Sequence, residues 1–173
     1  MILNERESRQ DHILNAVRQL MAAARTAPKG KGVDVIEVAA VTGDDIRTLA
    51  DKTRELAGET GLKFLLRDAD NILSAGAVLL VGTRPKLQGL NCAYCGFPTC
   101  ADKPEATPCA INAVDVGIAL GSACAAAADL RLDTRVMFSV GLAAQRLNWL
   151  EGCRTVFALP VSVGSKNPFF DRK

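Results

Sequence analysis

Apolar residues near the start of the chain recur at three- and four-residue steps, at Ile13, Leu14, Val17, Leu20, Met21 and Ala24. That spacing predicts an amphipathic helix from Glu5 to about Arg25. Pro28, Gly30 and Gly32 stop it, with Lys29 and Lys31 placed just past the negative end of the helix dipole. From Val33 to Val41, β-branched and apolar residues predict a buried strand. Thr42 with Asp45 has the form of a capping box and predicts a second helix from Asp44 to Ala57, closed by Gly58 and Gly61. The next segment is ambiguous by periodicity: Leu62 to Leu66 fits a short strand or a helical turn, and Asp68 to Ser74 a polar link or short helix. Ala75 to Val81 reads as another buried strand, stopped by Gly82.

Arg84-Pro85 opens a stretch without periodicity that ends at Cys109. A helix of small residues follows from Ala110 to Leu130, including Ala113, Gly117, Ala119, Gly121, Ser122 and Ala123. So little side-chain bulk lets another helix or a flat ligand approach closely, at a cost of about 1 kcal/mol per glycine relative to alanine. Asp115 interrupts this apolar run and calls for a partner such as Arg135 or a position facing solvent. Arg131 to Thr134 predicts a turn, Arg135 to Val140 a short strand, and Leu142 to Leu150 a short helix. Arg154 to Val163 predicts a last strand, broken at Pro160. Phe169 and Phe170, adjacent aromatics among charges, are expected to dock on the body or on a second subunit. Residues 1–173 read as a single α+β domain, with 84–109 a cysteine-rich loop inserted between core elements.

Composition narrows the function. A chain of 173 residues, 49% hydrophobic and 23% charged, forms a core without disulfides. The net charge of +2 gives no general attraction to nucleic acid. No basic leader opens the sequence, and its longest apolar run, Ile111 to Leu130, is interrupted by Asn112, Asp115 and Asp129. The expectation is a cytoplasmic protein with neither a nucleic-acid nor a membrane partner.

Cysteine usage changes the picture most. Cys92, Cys95, Cys100 and Cys109 fall within eighteen residues, after ninety-one residues that contain none. In a reducing compartment such a cluster points to metal binding rather than disulfides. Gly96 relaxes the turn while Pro98 and Pro108 stiffen the approaches, which fits a loop that binds an iron–sulfur cluster. Zinc accepts the same four thiolates and remains the alternative, as a structural or binding module without redox activity. Cys109 is taken as the fourth ligand for its proximity and Pro-Cys context; Cys124 and Cys153 read as small buried thiols. Tyr94 and Phe97 are placed to shield the site, or simply to anchor the loop. The lone His12 reads as a surface residue, and Asp68, Asp70 and Asn71 as a turn.

Cys92-Ala-Tyr-Cys95-Gly-Phe-Pro-Thr-Cys100-Ala resembles the four-iron cluster motif of corrinoid iron–sulfur proteins. Over nearly the whole chain, Pro108-Cys109-Ala, the run Asp115 to Ala123, Asp133-Thr-Arg135 and the run Gly164 to Arg172 resemble bacterial and archaeal proteins described as ferredoxin-domain-containing. Glu7-Ser8-Arg9, the run Ala22 to Lys31 and the small-residue helix are similar to the nitroreductase fold. That resemblance implies a mixed sheet flanked by helices, a homodimer, and FMN at its interface. It assigns the flavin phosphate to Arg6, Ser8 and Arg9, with Lys166 or Arg172 as the late partner, because guanidinium groups and a hydroxyl suit phosphate. Lys29, Gly30 and Lys31 stand where that family offers Ser and Asn. The implied activity is electron transfer from the cluster to a bound flavin, to a redox partner protein or to a small-molecule acceptor. The sequence names ligands but no catalytic acid, base or nucleophile.

Overall fold

A computed structural model describes residues 1–171; Arg172, one of the two late phosphate candidates, lies outside the described residues. The regular elements are α1 (Glu5–Thr26), β1 (Ile36–Val41), α2 (Asp45–Thr60), α3 (Phe64–Ile72), β2 (Ala77–Thr83), α4 (Ala110–Asp129), β3 (Asp133–Thr134), α5 (Phe138–Arg146) and β4 (Thr155–Ser162). Short 3-10 turns occupy Gly30–Gly32 and Pro168–Phe170.

The sheet runs β1-β2-β4-β3. Every described pairing is antiparallel, where the resemblance implied a mixed sheet. All seven residues of β2 are buried, because helices cover both faces. Ala77, Leu79 and Val81 face α1 and α4, meeting Val17, Leu20, Val116 and Ala123. Val78 and Leu80 alternate to the opposite face, toward Leu49, Leu56, Leu65 and Ile72 of α2 and α3 and Val140 of α5. The α5 backbone lies so close to β4 that a Cβ on Gly141 would stand 2.2 Å from the carbonyl oxygen of Val156. By length and composition α4 is apolar enough to cross a bilayer, yet its buried face packs on α1 and the sheet, with Asn112 and Asp115 on that face.

Several elements depart from the pattern-based expectation. No capping box forms at α2, since neither Thr42 nor Asp44 caps it through a side chain. The helix also runs past Gly58 to end at Gly61, whose φ of 72° is left-handed. The segment divided between Leu62–Leu66 and Asp68–Ser74 is one helix, α3, with Leu65, Ala69 and Ile72 buried alongside Asp68 and Asn71. Those two polar side chains concealed its apolar stripe. Asp68 accepts from Arg67 and from the Ser139 hydroxyl at 2.6 Å, and the Asn71 amide donates to the Phe169 carbonyl.

Of the strand expected over Arg135–Val140, the second half is helix. Only Met137 pairs, with Ala158, before α5 begins. Pro160 does not break β4; it interrupts the neighbouring edge instead. The register that joins Asp133 to Ser162 and Met137 to Ala158 places Arg135 opposite Pro160, where no N–H is available to continue the ladder. Arg135 turns to the C-terminal segment: it donates to the Phe169 carbonyl at 2.8 Å and lies 5.1 Å from the Phe170 ring centroid. Phe169 is fully buried, so one member of the terminal aromatic pair docks on the body.

Candidate metal centre

Residues 84–109 leave β2 at Thr83 and return at the first residue of α4. They contain no helix or strand, and their only fully buried side chains are polar, Gln88 and Lys103. The loop is fastened from below through Asn112. The Asn112 side-chain amide donates to the Lys86 carbonyl at 2.8 Å, and its oxygen accepts from Gln88 Nε2 at 2.7 Å. Lys31 Nζ donates to the Gln88 carbonyl at 2.9 Å. A buried polar group costs about 1–3 kcal/mol when left unpaired, so these contacts fix the loop's register on α4.

The backbone winds left-handed at Gly89, Asn91, Ala93 and Gly96, with φ of 68°, 47°, 58° and 87°. Gly96 is needed for that conformation rather than for room, since a Cβ there would meet nothing. Ala93 has no such freedom, and a left-handed alanine costs about 1–2 kcal/mol. Strain of this kind between Cys92 and Cys95 is characteristic of a loop shaped for a ligand.

This winding gathers Cys92, Cys95, Cys100 and Cys109 around one pocket. Leu87, Leu90, Phe97 and Ile111 give the walls apolar surface, and Gln88, Asn91 and Lys103 are the polar residues of the lining. Cys100 is the most elaborately prepared thiol. Asn91 N–H donates to its Sγ at 3.4 Å, and the Asn91 side-chain oxygen accepts from the Cys100 N–H at 2.8 Å. The Asn91 N–H holds the Cys100 thiol below its ordinary pKa against the opposing effect of burial, with help from the N–H groups of Gly89 and Leu90 and the charge of Lys103. Cys109 sits at the N-cap position of α4, so the start of that helix fixes its place at the pocket.

The other two cysteines are set apart. Cys153 is buried, and burial pushes its thiol up to about 11, with Glu37 adding to the effect and Arg84 opposing it. Burial alone raises Cys124. Neither lines the pocket. Tyr94, expected to shield the site or anchor the loop, is 77% exposed, whereas Phe97 is half-buried and lines the pocket. His12 is at the surface. Asp115, expected to meet Arg135 or solvent, does neither: it is buried, and Oδ1 accepts from the Gly30 N–H at 2.9 Å while Oδ2 has no partner. Among the described residues, no three His, Cys, Asp or Glu side chains stand within reach of one metal ion.

The candidate flavin residues are not assembled in the same way. Arg6, Ser8 and Arg9 lie on the first turns of α1, where the Ser8 hydroxyl donates to the Asn4 carbonyl and Arg9 forks onto Glu5 at 2.7 Å. Lys166 pairs with Asp171. Lys29 caps α1 through the carbonyls of Ala24, Arg25 and Ala27, and Lys31 is committed to the cysteine loop. Gln88, Asn91, Lys103 and Asn112 escaped the sequence reading. Only Asn112, a polar residue within an apolar helix, carried a signal there.

Fold and site together define an α+β protein of the nitroreductase fold with a four-thiol pocket inserted ahead of its small-residue helix. Residues 105–172 match the family described as "Uncharacterized protein containing a ferredoxin domain (DUF2148)". An uncharacterized protein of Archaeoglobus fulgidus is 37% identical over 99% of this chain and 98% of its own length. The chain belongs to this ferredoxin-domain family. The matched family segment includes Cys109 and begins after Cys100. Among solved structures, a nitroreductase with bound FMN from Desulfitobacterium hafniense is similar at TM-score 0.62, with 16% identity over 95% of this chain and 92% of that one. A nitroreductase with bound FMN from Bacteroides fragilis gives TM-score 0.63, with 13% identity over 92% and 81%. At these identities the likeness is one of fold.

Proposed function

We propose that this protein is an iron–sulfur redox protein that holds one 4Fe-4S cluster on Cys92, Cys95, Cys100 and Cys109. The observation that carries the reading is the convergence of all four thiols on a single pocket whose remaining lining is mostly apolar, with Gln88, Asn91 and Lys103 as its polar members. A tetrahedral zinc draws each sulfur to about 2.3 Å from one centre. Among the described residues no three of these side chains stand within reach of one ion, an arrangement that suits thiolates each holding a separate iron of a cluster better than four on a single zinc. Such a cluster supplies one-electron transfer at a potential set by its charge, its hydrogen bonds and its exposure to water.

The chain's own residues supply the rest. Four thiolates hold the group, and the Gly89–Asn91 backbone offers N–H groups to the Cys100 sulfur. Leu87, Leu90 and Phe97 limit water, while Asn112 and Gln88 hold the loop on the core. Electrons pass to a protein partner, a small-molecule acceptor or a flavin. Arg6, Ser8, Arg9 and Lys166 remain the flavin-phosphate candidates; the FMN named for both nitroreductases supports this version. The ion pairs of Arg9 and Lys166 are solvent-exposed and therefore weak competitors for a phosphate. The protein works in the cytoplasm, as a homodimer in the flavin-binding version.

Anaerobic purification followed by visible spectroscopy and assays of iron and acid-labile sulfide tests the proposal. About four of each per chain, with a broad absorption near 400 nm, is the expected result for a four-iron cluster. One zinc with no iron overturns it. Titration of the loaded protein with FMN then separates a flavoenzyme from an electron carrier.

A further inference from the structure

Lys103 lies in the cysteine loop and is only 8% exposed. Its ammonium donates to the carbonyls of Thr107 at 2.5 Å and Pro104 at 3.2 Å, and its side chain lines the pocket with the four thiols. The carboxylates nearest to it in sequence are used elsewhere: Asp102 accepts from the Thr99 hydroxyl at 2.7 Å, and Glu105 pairs with Arg154 at 2.9 Å. Two carbonyls solvate an ammonium without cancelling its charge. Burial of a charge is costly unless an opposite charge lies close by, and lysine is among the most strongly hydrated cations a protein can bury. Lys103 shares its pocket with the four cysteine sulfurs, which carry negative charge when they ligate a metal.

We infer that Lys103 is the charge-compensating residue of the metal centre and raises the reduction potential of the bound cluster. This rests on the iron–sulfur reading. Reduction adds one electron from an external reductant, makes and breaks no bond, and leaves the cluster more negative by one charge. A fixed ammonium at the pocket wall therefore stabilises the reduced form more than the oxidised form. The loop thus uses one lysine for two ends, folding the 104–107 turn through its carbonyl contacts and setting the potential through its charge.

Anaerobic titration with dithionite, followed by visible and electron paramagnetic resonance spectroscopy, compares wild type with Lys103→Gln and Lys103→Arg, with iron and sulfide counted in each. The expected result for Lys103→Gln is a reduction equilibrium at least tenfold less favourable, a midpoint lower by about 59 mV or more for one electron. Lys103→Arg recovers most of that shift. Equal midpoints for wild type and Lys103→Gln at equal iron content overturn the inference while leaving the cluster in place. Wild-type protein without iron or sulfide removes the cluster reading and this inference with it. If Lys103→Gln takes up no iron, wild-type iron content in Lys103→Arg upholds the role of charge, and loss from both variants overturns it.

Discussion

β2 and the cysteine loop are consecutive in sequence and are held by opposite means. In β2 every side chain is buried and its two faces alternate into two apolar cores. In the loop the buried side chains are a glutamine and a lysine, and order comes from hydrogen bonds and left-handed turns that close on four thiols. Apolar burial is non-directional and finishes its work on folding. The polar framework is directional, and much of it is aimed at the pocket. The scaffold should therefore survive loss of a bound group that the loop needs.

The largest expected effect sharpens that contrast. Cys92→Ser should abolish nearly all iron binding and make residues 84–109 sensitive to limited proteolysis, with the far-ultraviolet circular dichroism retained. Collapse of the helical signal together with the iron would break the division between scaffold and loop. On the scaffold side, Gly141→Ala drives a methyl into the β4 backbone and should cost about 3 kcal/mol or more, read as a lowered denaturant midpoint. The loop-side counterpart is Asn112→Ala, which strips partners from Gln88 and the Lys86 carbonyl. Its expected cost is about 1–3 kcal/mol, with faster amide exchange concentrated in 84–109. The smallest effect concerns reactivity. In metal-free protein near pH 8, iodoacetamide should modify the loop cysteines well before Cys153. A raised pKa keeps that thiol protonated as pH rises past the ordinary thiol range, so its labelling should accelerate only as pH approaches about 11. Labelling of Cys153 at the rate of Cys100 near pH 8 would contradict its placement in the core.

What the sequence disclosed follows the same division. The first helix, the three long strands and the small-residue helix were legible because period and composition report burial directly. α3 was obscured because Asp68 and Asn71 occupy its buried face, satisfied by Ser139 and Phe169, which lie about 70 and 98 residues away. The start of α5 was misread because Arg135, Val136, Met137, Phe138 and Val140 have strand-like composition, while close packing against β4 makes Phe138–Arg146 helical. In the candidate centre, the cysteines announced themselves by clustering. Asn112 showed only as a polar interruption of an apolar helix, and Lys103 and Gln88 did not show at all, because a lone lysine or amide has no spacing to detect and acquires its role only from what folding places beside it. Lys29 and Lys31 both follow the end of the first helix in sequence; Lys29 caps α1, whereas Lys31 grips the cysteine loop.

Pro160 has a bearing beyond strand length. By withholding a donor opposite Arg135, it leaves the outer edge of the sheet as a two-residue strand and one isolated bridge. A long, continuous edge is a template on which another chain can add a strand, and natural sheets blunt such edges by keeping them short. The interruption thus guards this margin against strand-by-strand aggregation while a nascent chain is still folding.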